Sequence, residues 1–160
     1  MKAFEPISQE IGQIIEEWEP TLLGLSEDVI TRRRNNQNRT IKQILGHMCD
    51  SATNNTHRVI HLQYQESPLA YPNYATFGNN DRWIAIQNYQ DEDWYTLVQL
   101  WKYLNLHYAY IIQFIDQSKL EDIWLGGEGY EISLKEMVVD FPRHFTLHLQ
   151  EIQELIDKAE

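Results

Sequence analysis

Two histidines, His144 and His148, stand four residues apart in Phe141-Pro-Arg-His-Phe-Thr-Leu-His-Leu-Gln150. On an α-helix each residue advances about 100°, so four residues bring a side chain back to within about 40° of its start. Two imidazoles so stacked can grip one divalent ion, but two ligands do not complete a site. The plainer reading of a bare pair puts one ring at the edge of a core and the other in water. The functional reading needs a third ligand, and His47 is the candidate.

His47 opens a polar stripe with Ser51, Asn54 and Arg58, which share about 60° of a helix beside its apolar side. The long gap to His144 is irrelevant if the two helices adjoin, because bundles build metal sites from inward side chains on facing helices. Three neutral imidazoles plus water leave an open position, the catalytic pattern rather than the closed structural one. Such ligands suit zinc, nickel, copper or iron. Water or a thiol bound there would lose its proton near neutral pH and become a nucleophile.

A second pair, His57 and His61, competes. His61 could replace His47 as third ligand, although its further rise along the helix makes a solvent-facing pair the default reading. Asp140 and Glu151 flank His144 and His148 by about one turn each. Either could orient a ligating ring, as carboxylates commonly do; a plain surface carboxylate is the preferred reading for each. Asp50 and Asn54 also lie near His47. Cys49, two residues from His47, points elsewhere and reads as a core or boundary residue. No nucleophile elbow, phosphate loop or cysteine-based zinc motif competes.

The elements that must position these residues are helices. Ser8 can cap a first one carrying Ile11, Ile14, Ile15, Trp18, Leu22 and Leu25, kinked at Pro20 and ended by Gly24. Residues 31–39 read as a loop, with the basic cluster Arg32, Arg33, Arg34 and Arg39 solvated. Thr40 and Gln43 have capping-box spacing before a second helix from about Ile41 to Gln65. Residues 67–82 form the longest irregular stretch. Its Tyr71, Tyr74 and Phe77 could close over a pocket or simply anchor the loop. A short apolar patch, Trp83 to Ile86, follows. Asp91 can cap a third helix, whose repeat runs from Trp94 through Trp101 and Tyr108 to Ile115. Asn105 falls inside that apolar arc, facing a central site or bonding across helices, and His107 falls outside it. Gly126 to Gly129 form a turn. Ser133 and Glu136 make a second capping box for a helix bearing Leu134, Met137, Val138, Phe141, Phe145, Ile152, Leu155 and Ile156. Pro142 is expected to bend it.

Four amphipathic segments without a convincing strand set predict an all-α four-helix bundle, a single domain over 1–160 with a long helix 2–helix 3 loop. The net charge of −11 disfavours nucleic-acid binding. One cysteine permits no intramolecular disulfide, and no apolar run reaches the roughly 20 residues of a membrane span. A cytoplasmic protein with no membrane partner is the expectation.

Thr40-Ile-Lys-Gln-Ile-Leu-Gly-His47-Met-Cys-Asp50 resembles the start of helix two in the DinB-like four-helix-bundle superfamily. Ser133-Leu-Lys-Glu-Met, with Arg143-His144-Phe-Thr-Leu-His148-Leu-Gln150-Glu-Ile, resembles its final helix. The resemblance covers nearly the whole chain in element order. It implies an up-down-down-up bundle binding zinc or nickel through His47, His144 and His148, and frequently a homodimer. It further implies a metal-dependent enzyme acting on a small molecule. The expected activity is S-transfer with a low-molecular-weight thiol of the bacillithiol or glutathione type. The alternatives are a metal-dependent hydrolase and a non-catalytic binding bundle.

Overall fold

The computed structural model describes residues 2–70 and 72–158; Tyr71 lies outside them. The described chain forms α1 (Glu5–Leu23), α2 (Glu27–Arg32), α3 (Ile41–Tyr64), α4 (Asn79–Gln87), α5 (Trp94–Ile111) and α6 (Leu134–Asp157). Three short strands accompany them: β1 (Leu69–Ala70), β2 (Ile123–Gly127) and β3 (Tyr130–Ser133).

Both predicted capping boxes close, at Thr40/Gln43 and Ser133/Glu136. Each such N-cap is worth about 1 kcal/mol. The other two starts differ from expectation. α1 begins before Ser8 with no side-chain cap; Pro6 occupies its first turn, where a missing N–H costs nothing. Ser8 instead accepts a hydrogen bond from Gln113 across to the end of the third long helix (2.9 Å). α5 is capped by Asp93 rather than Asp91, because Asp93 accepts from the Thr96 backbone N–H and hydroxyl (2.8 Å each). Pro20 and Pro142 both lie within continuous helices.

Cross-helix pairs define the topology. Along α1 and α5, Ser8 meets Gln113, Glu19 meets Lys102 and Leu22 meets Trp94, so these helices are antiparallel. α5 is also antiparallel to α6: Trp101 stacks on Phe145 (5.8 Å) and Tyr108 meets Phe141 (4.1 Å). α3 packs on α5 and α6. His47 at its start meets His148, while later residues face Phe141 and Met137, so α3 and α6 are antiparallel. α3 and α5 therefore run parallel, and the four long helices are up-down-down-up. Parallel neighbours cannot be joined by a tight turn, because the chain must return the full helix length. That requirement explains the long stretch between α3 and α5, which contains β1 and α4.

Two features depart from the sequence reading. The strands form a small sheet, order β1-β2-β3, with β1 parallel and β3 antiparallel to β2. The expected glycine turn is its hairpin: Glu128 and Gly129 both have positive φ (53° and 78°), as a two-residue turn matched to strand twist requires. Strands of two to five residues carry too little alternation to stand out. Second, half of the basic cluster is structural. Arg33 donates to the Leu155 and Ile156 carbonyls (2.9 and 2.8 Å) at the end of α6, where a cation suits the helix dipole. Arg39 is buried and pairs with Asp81 (2.8 Å). Only Arg32, at the end of the unforeseen α2, and Arg34 are exposed as expected.

Asn105 is fully buried, but it donates to the Trp101 carbonyl of its own helix (2.7 Å) rather than across helices. Gly46 lets Tyr89 lie against α3: a Cβ there would sit 2.1 Å from Tyr89 Cδ2. Gly46→Ala would gain about 0.5–1 kcal/mol of helix preference. It would lose more by pushing aside a buried ring held by its hydrogen bond to Asp50 (2.6 Å). We expect a net loss of about 1–3 kcal/mol, measurable by urea denaturation.

Candidate metal centre

α3 and α6 bring His47, His144 and His148 together. The ring centroids of His47 and His148 are 4.6 Å apart, those of His144 and His148 4.5 Å, and those of His47 and His144 6.1 Å. One nitrogen from each ring can be chosen so that all three lie within 4.8 Å of one another. Ligand atoms around a tetrahedral ion with bonds of about 2.0–2.1 Å sit roughly 3.3 Å apart. The observed 3.1 Å between the Nε2 atoms of His144 and His148 already matches that separation. No other such group of three His, Cys, Asp or Glu occurs among the described residues.

The donor set fits a divalent ion. His47 and His148 are buried and His144 is half-buried. Burial above all, then the neighbouring imidazoles, lowers His47 to about 2 and His144 to about 4. Both are therefore neutral, the state a metal requires. The buried Nδ1 of His47 has no hydrogen-bond partner among the described residues.

Glu151 turns out to be more than a surface carboxylate. Its Oε2 lies 3.0 Å from His148 Nδ1. A carboxylate there accepts from Nδ1 and fixes the ring, which turns Nε2 of His148 toward the centre. The Nε2 atoms of His144 and His148, 3.1 Å apart, share one proton between them, and that proton must leave before both lone pairs can face one ion. Asp140, by contrast, is held bidentately by Arg143 (2.6 and 2.8 Å), the plainer of its two readings.

His61 does not join the centre. It lies further along α3, its Nδ1 against the Tyr64 hydroxyl (2.6 Å) and Gln65 amide (2.7 Å), with the exposed His57 beside it (6.1 Å between rings). Asn54 turns back to the Asp50 carbonyl (2.9 Å). Asp50 is buried and accepts from Tyr89 and Gln87 (2.6 and 2.7 Å); desolvation outweighs those bonds and raises its carboxyl to about 6. Cys49 is buried, and desolvation pushes its thiol up, so it is an inert core residue, as read.

Of the three loop aromatics, Tyr74 both anchors the loop and closes the site. It is buried, 5.9 Å from the His47 ring and 5.7 Å from Trp83. Phe77 is exposed and does neither. Beside the histidines a cavity of about 240 Å³ runs between α3 and α6. Ser51, Asn55 and Arg58 line one wall, Met137, Phe141 and His144 another, and Trp124, Tyr130 and Ile132 of the hairpin close it with Tyr74. The hairpin aromatics were not identifiable as site residues, since without the strands nothing aims them at α3.

No protein-family model matches the sequence, and no curated protein matches it. A solved structure does. YfiT from Bacillus subtilis superposes with a TM-score of 0.74 over 92% of this chain and 85% of its own, at 16% identity. It is described as a probable metal-dependent hydrolase with an unusual four-helix bundle topology. At that identity the likeness establishes the bundle fold.

Proposed function

We propose that the chain is a metal-dependent enzyme acting on a small molecule, with His47, His144 and His148 as the ligands of one divalent ion. The observation that carries this reading is the convergence of three imidazoles, two of them held neutral by burial, beside a cavity. A divalent ion held there would supply Lewis acidity, lowering the pKa of a thiol or water at its open position. The chain does the rest. Glu151 holds the His148 ring, burial keeps His47 unprotonated, and Tyr74 with the hairpin aromatics limits water in the cavity.

Within this class we carry S-transfer from a low-molecular-weight thiol. Such a reaction needs no separate general base, and the nearby carboxylates Asp50, Asp140 and Glu151 are all engaged elsewhere. Hydrolysis is the second reading, favoured by the description of YfiT. The test incubates zinc- or nickel-loaded protein with glutathione or bacillithiol and 1-chloro-2,4-dinitrobenzene. A parallel arm uses p-nitrophenyl acetate without thiol. Metal-dependent conjugate formation that disappears in His47→Ala is the expected result. Ester cleavage without any thiol conjugate would replace transfer by hydrolysis, and neither activity would leave a binding bundle. Glu151→Gln is expected to weaken metal binding about 10–100-fold, measured against a chromophoric chelator.

A further inference from the structure

α5 is apolar on both of its faces. From Trp94 to Phe114 the sequence has no carboxylate and one lysine, Lys102, which turns aside to Glu19 of α1 (2.8 Å). Leu97, Trp101 and Tyr108 face the core and are buried. The opposite face of a helix that borders water is ordinarily polar. Here it carries Leu100, Tyr103, His107, Tyr110 and, just past the helix end, Phe114. Steps of three, four, three and four keep these five within about 80° of the helix circumference. The four apolar ones are between 39% and 60% exposed, and the Tyr110 and Phe114 rings touch (4.9 Å). α3 extends the face. Its Gln63 accepts from the Asp116 backbone N–H beyond the end of α5 (2.9 Å), and Ile60, a turn earlier, is exposed beside it.

We propose that this face is a homodimer interface, in which α5 packs antiparallel on α5 of a second copy about a two-fold axis at His107. The inference is independent of the metal centre. A repeat of three and four makes a straight seam between two helices. The arc also reads alike in both directions from His107. A two-fold axis there sets Tyr103 of each copy against Tyr110 of the other, and Leu100 against Phe114. Antiparallel pairing brings opposite ends of the two helix dipoles together. The area suffices. Three aromatic side chains of about 150–250 Å² each, more than half exposed, offer roughly 350 Å². Leu100, His107 and Ile60 raise the face to roughly 600 Å² per copy, where specific interfaces begin. Charge selects the same surface. Each chain carries a net charge of −11, and along this seam two copies meet without opposing carboxylates.

Sedimentation equilibrium of the full-length protein tests this. The parent should weigh twice its chain mass of 19.1 kDa at micromolar concentration. Tyr110→Glu puts a carboxylate into the seam twice, so its dimer dissociation constant should rise at least about a hundred-fold. Tyr103→Lys should do the same through like charges. Both positions are exposed, so far-UV circular dichroism should be unchanged in each variant. Leu147→Glu, on the exposed side of α6, should remain a dimer. The decisive sample mixes Tyr110→Glu with Tyr103→Lys. The antiparallel register sets the new glutamate against the new lysine, and the mixture should dimerise where neither variant does alone. A parent that stays monomeric up to about 100 μM overturns the proposal whether or not the variants fold. So does a dimer that persists in folded Tyr110→Glu or is lost in Leu147→Glu. A mixture that stays monomeric overturns the two-fold at His107.

Discussion

Purified protein incubated with zinc is expected to hold about one ion per chain, and His144→Ala almost none. Removing one of three ligands leaves two imidazoles and no closed set. The effect should also appear as stability. An ion at a hundred to a thousand times its dissociation constant adds about 3–4 kcal/mol to the folded state. For a domain of 150–250 residues that is roughly 10 °C in melting temperature. The parent should therefore melt about 10 °C higher with zinc than with chelator, and His144→Ala should melt at the same temperature in both. The substitution itself should be mild without metal, because His144 is half-buried. It also frees His148 from its 3.1 Å imidazole neighbour. Equal zinc content in parent and variant, by elemental analysis, would remove the three-histidine centre.

Acidifying the metal-free protein from pH 6.5 to pH 4 is expected to lower its unfolding free energy by about 4 kcal/mol. The sign follows from the imidazoles. Burial lowers His47 to about 2 and His144 to about 4, while in the unfolded chain both titrate near 6.5. Below about 6.5 the unfolded chain takes up two protons that the folded chain refuses. Each costs about 1.4 kcal/mol per pH unit, a contribution intact above 6.5 and lost as the pH falls. Asp50 opposes this. Its folded carboxyl, raised by burial to about 6, keeps a proton that the unfolded carboxyl releases near 3.8. Its contribution is present at low pH and lost as the pH rises through about 6. One carboxyl offsets one of the two histidines across most of the window, so the net slope is positive. Urea denaturation at several pH values measures it. His47→Gln should flatten the dependence and Asp50→Asn should steepen it. Stability that held constant or rose on acidification would show that these imidazoles are not buried neutral groups.

What was legible in the sequence was local. A three-and-four apolar repeat reports one helix at a time, so α3, α5 and α6 could be read to within a few residues. The two capping boxes were legible because donor and acceptor lie three residues apart. The His144/His148 stack was legible for the same reason, since one helix turn sets it whatever surrounds the helix. Residues joined only by packing were not. That Glu151 holds His148 while Asp140 turns to Arg143 depends on rotamers that spacing leaves open, as both carboxylates lie about a turn from a histidine. The hairpin that carries Trp124 into the cavity has strands too short for any periodicity to mark.

By itself the sequence determined an all-α chain with two imidazoles stacked on its last helix, because helical geometry repeats every 3.6 residues and needs no distant partner. Only the tertiary structure decided that His47 rather than His61 meets that pair. The antiparallel packing of α3 on α6 sets which turn of one helix faces which turn of the other. That register is a sum over side chains contributed by the whole bundle, and no single segment contains it.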